Sequence, residues 1–508
     1  MAYKDNSNKR IAKNTLMLYF RMLLIMGVGL FTSRVILDTL GVSDYGIFNV
    51  VGGFVTMLAY LNAVFVDASQ RFISFSLGEN NQLKLKRVFS TSIVAQMCLA
   101  LFVMIVAETL GLWFVNCKLN IPPERMIAAN WVYQCSVVSL IVSIFNIPYR
   151  ACIVAHERMH IYAYISIVEA IMKLVIIYLL VLTPYDKLII YAILHLIVTL
   201  VIPLWFMVYC RRHFEECRFS LSFDKTMFKE MFSFSGWVLV GNLGFTFKDQ
   251  LSNVIMNLFL GTTINAARGV AAQLNSVMIT FANNFFMAIS PQITKSYASG
   301  DSERNLKLVY SGTRLSFFLM LIITIPVVCH TKQILELWLV DVPQYSCEFV
   351  VITLLSSVFF AMSKSLTTEL QATGDIKAFQ IGIAFIMLAE LPIAYIVLAL
   401  GMPPYIALLP AIATNFLGIV YRFSLLKRMI KSFNSKFFYL NVLLRNILIY
   451  AVAYAMSYYL TVIIHNTMIS LMAAFVVSIS LVYFMGLSHG ERQLVKSFAN
   501  NCKRKINR

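Results

Sequence analysis

Charge is what this sequence has least of. Asp, Glu, Lys and Arg make up 13% of its 508 residues, about half the share of an average soluble domain. Acid is the scarcer sign, with 24 Asp and Glu against 42 Lys and Arg. Polar stretches are short as well: the longest, near 211–229 and 488–508, run about 20 residues each, well below the 50 or so that a compact domain needs. A separate soluble domain is thereby excluded.

The usual marks of chemistry are also missing. The nine cysteines form no CxxC pair, and Cys98, Cys135, Cys152, Cys210 and Cys329 sit in or at the ends of apolar runs, where they read as small hydrophobes. The sequence has no cluster with metal-ligand spacing, no phosphate-cradling glycine loop and no nucleophile elbow. It therefore nominates no catalytic residue, no metal and no resident cofactor, and reads as something other than an enzyme.

What is present is apolar length. The chain is 59% hydrophobic with a mean hydropathy of +0.76. Runs of about 20 apolar residues, each enough to cross a hydrocarbon core about 30 Å thick, recur between short polar breaks. Fourteen such runs can be placed, so the expected fold is an all-α, multi-pass membrane protein. The first, from about Thr15 to Leu37, follows Lys4, Lys9, Arg10 and Lys13. A basic start also opens secretory signals, but this run is too long for one and lacks a small-residue cleavage site. It is expected to be a retained first span with its N-terminus in the cytoplasm. On that assignment most Lys and Arg fall in cytoplasmic segments and only a handful in outer loops, which places both termini inside. The net charge of +18 is then a topology signal, and nucleic acid is not needed as a partner. Trp113, Trp131, Trp205, Trp237 and Trp338 fall near expected helix ends, as an interfacial aromatic belt requires.

The chain also repeats itself. Leu40-Gly41 is echoed by Leu260-Gly261, Ser69 by Ser290, Gly78 by Gly300, and Val88-Phe89 by Val309-Tyr310, always 220 to 222 residues later. One repeat holds six helices, an even number, so both copies enter the membrane from the same side and are related by an axis along the bilayer normal. The expected organisation is an N-lobe over 1–220, a C-lobe over 221–432, and an appendage over 433–508 of two helices and a basic cytoplasmic tail. Two such lobes face each other and can rock about a central cavity.

Several ionisable residues interrupt the apolar runs: Arg21, Glu169, Lys173, Lys248, Asp249 and Glu390. Facing lipid, each costs roughly 2.5 to 3.5 kcal/mol, so they are expected to face something wetter. Glu169 and Lys173, spaced i,i+4, read as an ion pair along one helix face. Asp249 either neutralises Lys248 or points elsewhere, since neighbours on a helix lie about 100° apart. Glu390, two residues before Pro392, either serves backbone groups freed at a kink or lines the cavity. Arg21 has no acidic residue within four positions and is the strongest cavity candidate. Arg34, Asp38 and Arg268 add charge at outer helix ends, with snorkelling as the alternative for the two arginines. Asp67 and Arg71 read as an i,i+4 pair, and His195 as an interior histidine. Arg21, Arg34, Lys248 and Arg268 come from the helices that open the two repeats. A cavity lined by them is cationic and suits an anionic headgroup such as a pyrophosphate.

Three segments, Lys13-Asn14-Thr15, TSRVILDTLGVSDYGIFNVVGG from Thr32 to Gly53, and SQRFISFSLGE from Ser69 to Glu79, resemble the multidrug, oligosaccharidyl-lipid and polysaccharide exporter superfamily. The echo at Leu260–Gly269 and ATGDIKAF from Ala372 to Phe379 fit as well, and the likeness is to the polysaccharide branch with the Wzx-type O-antigen flippases. The resemblance implies a fourteen-helix, two-lobed, MATE-like transporter in the bacterial inner membrane. By alternating access it would move undecaprenyl-pyrophosphate-linked oligosaccharide outward for O-antigen or other surface polysaccharide assembly, next to a polysaccharide polymerase machinery. It also implies a role for the last two helices in shaping a groove for the polyprenyl tail. With no ATP motif in the chain, a coupling ion or the membrane potential is the expected drive. Two rival expectations stand beside this one. A drug or cation antiporter of the same fold would use Asp249, Glu169 or Glu390. An integral membrane glycan-processing enzyme ranks last, because the outer loops are about 15 residues or less and their acids are scattered.

Overall fold

The computed structural model describes residues 2–117, 119, 121–218, 223–260, 262–339 and 341–493, and helix is the only extended regular element among them. The first helical stretch, Ala2–Gly78, is far too long for one crossing. It breaks at Gly41, whose φ of 77° and ψ of 166° leave the helical region, a conformation that only glycine adopts cheaply. It is therefore two helices, α1 (2–40) and α2 (42–78). There follow α3 (Gln82–Cys117), α4 (Pro123–Ala155), α5 (Met159–Leu182), α6 (Lys187–His213), α7 (Lys225–Leu260), α8 (Thr262–Ala298) and α9 (Ser302–Cys329). After a short helix, Thr331–Trp338, come α10 (Ser346–Thr373), α11 (Lys377–Ala399), α12 (Pro404–Met429), α13 (Ser435–Ile463) and α14 (Thr467–Gly486). Ten of these, α3–α6 and α9–α14, are long and apolar enough to cross a membrane. With α1, α2, α7 and α8 they make the fourteen helices expected from the sequence.

The repeat is visible in the turns. Asn80 (φ 54°) and Gly300 (φ 72°) are the left-handed residues after α2 and α8. The next residue in each case caps the following helix: Asn81 accepts from the Lys84 amide at 3.0 Å and Asp301 from the Arg304 amide at 3.1 Å. Both pairs lie 220 residues apart. The counterpart of Gly300 is thus Asn80, whose short side chain tolerates the left-handed region, and not Gly78, the last residue of α2. Gly261, the echo of Gly41, lies outside the described residues, as does the basic tail over 494–508.

The chain forms two compact units, Lys13–Leu239 and Val240–Arg508 with Met1–Ala12. The division falls within α7, whereas the lobes read from the sequence meet before α7 begins. In the first unit α4 packs on α3, α5 and α6, around a core that includes Val103, Val132, Ile144 and Leu188. Tyr133 is fully buried there, and its hydroxyl donates to the Ala107 carbonyl at 2.7 Å, which lies in the widened π-helical turn Ala107–Gly111 of α3. Arg125, at the start of α4, ties three elements: its Nε donates to Asp44 of α2 at 2.9 Å and its Nη1 to Asp186, which precedes α6, at 2.6 Å. In the second unit α8, α9 and α12 surround α10, while α13 and α14 pack on each other and on α9.

Candidate functional site

Each unit carries its own cluster of charge among its apolar helices. In the second, the cluster is positioned by two glycines. A Cβ at Gly241 would stand 2.0 Å from Gln380 Oε1 of α11, and one at Gly244 2.8 Å from Ala384 Cβ. At Gly244 only hydrogen fits, and at Gly241 a Cβ would require the Gln380 side chain to move, so α7 lies directly against α11. Lys248 follows on the same face, seven residues after Gly241, and its Nζ reaches Glu390 Oε2 at 3.4 Å and Asp249 Oδ1 at 3.2 Å.

Glu390 stands where α11 is interrupted, one residue past Ala389. Pro392 causes the break, since its ring collides with the carbonyl four residues earlier. The freed backbone is not what Glu390 serves. Its carboxylate accepts from the Thr414 hydroxyl of α12 at 2.5 Å and pairs with Lys248. Arg268 of α8 completes the group: Nη1 donates to Ser252 Oγ at 2.6 Å and Nη2 to the Asp249 carbonyl at 3.4 Å. Two cations and two carboxylates thus stand together on α7, α8 and α11, and their charges cancel.

The first unit is different. Arg21 of α1 and Arg150 of α4 place their guanidinium carbons 4.6 and 5.3 Å from the centroid of one ring, that of Tyr162 on α5. Arg150 Nη2 also donates to the Tyr162 hydroxyl at 2.6 Å and lies over Phe206 of α6. Arg21 Nε is buried without a hydrogen-bond partner. Among the described residues no carboxylate lies within ion-pair distance of either arginine. The start of α1 is held in register by Asn14, which donates to the Glu157 carbonyl at 3.2 Å in the α4–α5 turn. Farther along α5, Glu169 and Lys173 pair at 2.7 Å, as their spacing indicated.

Of the residues singled out from the sequence, the structure gathers Lys248, Asp249, Arg268 and Glu390 into one cluster and sets Arg21 in the other unit. The side chains of Arg34 and Asp38 lie outside the described residues. Arg71 lies over Phe72, Phe75 and Phe234, and His195 packs edge-on to Phe48 and at a tilt to Tyr191.

Sequence reasoning missed two groups. Arg150 is not among the residues singled out; it lies two residues after Pro148, and α4 continues through both to Ala155. Glu369 sits on the long apolar α10 and is fully buried, with Asn305 of α9 donating to its Oε2 at 2.9 Å. An acid within an apolar run was the available signal for it.

The profile described as MatE matches residues 238–396, less than a third of the chain. Among solved structures, a MATE mutant superposes with a TM-score of 0.72 at 12% identity, over 83% of this chain and 97% of that one. The fold is that of the MATE transporters. An outward-facing multidrug resistance MATE transporter of the MOP superfamily shares this MATE fold with a TM-score of 0.70 at 13% identity, over 84% and 97% of the two chains. The Vibrio cholerae MATE transporter VcmN does so at 0.69 and 14%, over 85% and 99%. The MATE structures leave about a sixth of this chain uncovered. No curated protein matches.

Proposed function

We propose that this chain carries a polyprenyl-pyrophosphate-linked oligosaccharide from the cytoplasmic to the outer leaflet by alternating access, for surface polysaccharide assembly. The observation that carries the reading is the pair Arg21 and Arg150, converging on Tyr162 with no carboxylate within ion-pair distance of either among the described residues. Arg21 interrupts an apolar run, where a guanidinium facing lipid costs roughly 2.5 to 3.5 kcal/mol, and the more exposed Arg150 over the same ring adds repulsion. An anion with several oxygens offsets both costs, and a pyrophosphate presents such oxygens to two planar donors. The Tyr162 hydroxyl and the Tyr162 and Phe206 rings add a polar contact and flat apolar faces beside it. Lys248, by contrast, already has Asp249 and Glu390 as counter-charges, so it favours anion binding less.

The membrane potential suits this direction of travel. Moving about two negative charges outward across an inside-negative membrane releases roughly 4 to 5 kcal/mol per 100 mV. Collapse of the potential in vesicles slows transport if this is the drive, and leaves it unchanged if an ion gradient acts alone.

The test is the lipid-linked oligosaccharide pool in cells depleted of the protein and complemented with Arg21→Ala or Arg150→Ala. Loss of surface glycan with build-up of the lipid-linked unit on the cytoplasmic leaflet supports the reading. A second reading, export of drugs or organic cations, is supported by the fold shared with a multidrug resistance transporter and by the membrane-embedded carboxylates Glu390 and Glu369. It takes over if surface glycan is normal and only drug sensitivity changes.

A further inference from the structure

Where α12 hands over to α13, the structure holds a cavity of about 600 Å³ lined by Phe423, Ser424, Lys427, Arg428, Ser435 and Tyr439. Its walls follow from helix spacing. Ser424, Lys427 and Arg428 lie at i, i+3 and i+4 on one face of α12, and Ser435 and Tyr439 at i and i+4 on one face of α13. The hairpin between them is held by aromatics: Phe423 stacks on Phe438 with centroids 4.0 Å apart, Phe433 packs edge-on to Phe423, and the Tyr310 hydroxyl accepts from the Asn434 amide at 3.1 Å. Asn434 caps α13 by accepting from the Phe437 amide at 3.1 Å, so the positive end of that helix dipole opens beside the cavity. Lys427 and Arg428 are exposed and form no ion pair among the described residues.

We propose that this cavity binds the headgroup of an anionic phospholipid. Two cations, three hydroxyls and a helix N-terminus are donors suited to a phosphodiester. The volume is that of a small-molecule site and exceeds what a bare phosphate occupies. Both walls are helices long and apolar enough to cross a membrane, and the cavity lies at their shared end, the level at which one leaflet's headgroups would stand; basic pockets between transmembrane helices are suited to such lipids. Phe437, Leu440 and Leu444, at spacings of three and four on α13, are exposed and apolar, which gives the acyl chains a surface beside the headgroup. This apolar stripe favours a lipid over a soluble phosphate. The site is separate from the Arg21–Arg150 pair and does not depend on the transport reading.

The experiment is native mass spectrometry of the full chain released from mixed phosphatidylglycerol and phosphatidylcholine micelles. Retention of phosphatidylglycerol in preference to phosphatidylcholine is expected, with the adduct falling about tenfold or more in Lys427→Gln/Arg428→Gln and persisting in Lys431→Gln/Lys436→Gln. Both doubles remove the same charge from exposed positions, and matching elution and thermal unfolding would show that each folds. Equal loss in the two doubles makes the effect general surface charge and overturns the site. An unchanged adduct in Lys427→Gln/Arg428→Gln overturns it too. Displacement of the lipid by glycerol phosphate at equal concentration overturns the lipid assignment in favour of a soluble phosphate.

Discussion

Asn305 donates to Glu369 Oε2 at 2.9 Å, while the other oxygen of that carboxyl, Oε1, is buried without a partner. Glu369 is fully buried on α10, and Asn305 also donates to the Ile293 carbonyl at 3.2 Å and lies 3.3 Å from Ser296 Oγ. This joins α8, α9 and α10 through one amide. A buried carboxylate without a counter-charge costs several kcal/mol. Replacement by an amide of the same shape is therefore expected to be tolerated: Glu369→Gln holds or raises the unfolding temperature in detergent. Glu369→Ala removes one acceptor of the Asn305 amide and leaves a cavity on a fully buried site, and lowers stability by about 1 to 3 kcal/mol. A loss as large for Gln as for Ala would show that the ionised form is what the fold uses.

Lys248 and Glu390 provide a second test. Removing one member of a buried pair leaves an uncompensated charge and costs about 3 to 5 kcal/mol, whereas replacing both with apolar groups of similar size is close to neutral. Lys248→Met and Glu390→Leu are each expected to be destabilised, and the double variant to recover most of the loss. Additive losses in a thermal-unfolding cycle would rule out coupling between them.

The approach of α7 to α11 is tested at Gly244. A Cβ there meets Ala384 Cβ at 2.8 Å, a contact with no flexible end to yield. Gly244→Val should cost about 1 to 3 kcal/mol by overpacking and weaken the Lys248–Glu390 pair beyond it. Gly241→Ala should be milder, since the clashing atom is the end of the Gln380 side chain. Comparable losses at the two positions would contradict this geometry.

Asp186 makes stability depend on pH. Burial raises its pKa, but the hydrogen bond and charge of Arg125 and the Leu188 and Ile189 amides together hold it below its ordinary value of 3.8. Asp44 is the other acid facing Arg125. A depressed folded-state pKa contributes stability above the unfolded value and loses it as the pH falls through the folded one. The fold should therefore weaken below about pH 3.8, and Arg125→Gln should flatten that part of the profile. At neutral pH the same substitution is expected to cost only about 1 kcal/mol, because the cluster is partly exposed and screened.

Tyr162→Phe separates two roles at the arginine pair. It keeps the ring under Arg21 and Arg150 and removes only the 2.6 Å bond from Arg150. The proposed transport should fall by roughly tenfold or more, the worth of one charge-assisted hydrogen bond, yet less than in Arg150→Ala. Equal losses would place the effect in the hydroxyl itself.

Hydrophobic length and composition were enough to determine the architecture. Fourteen helices were legible because a bilayer demands about 20 apolar residues and internal hydrogen bonding at every crossing, a constraint that acts locally on the chain. The Glu169–Lys173 pair was legible for the same reason, since i,i+4 neighbours meet on any helix. Partners across helices were not. Glu390 meeting Lys248 and Thr414 depends on how closely α7 can lie against α11, and that is set by Gly241 and Gly244 facing Gln380 and Ala384. Arg150 joining Arg21 over Tyr162 brings α1 to the consecutive helices α4 and α5, more than a hundred residues further along the chain. Sequence spacing fixes which way a side chain points around its own helix axis, but which groups share a neighbourhood depends on helix rotation and separation. Only tertiary packing decides those.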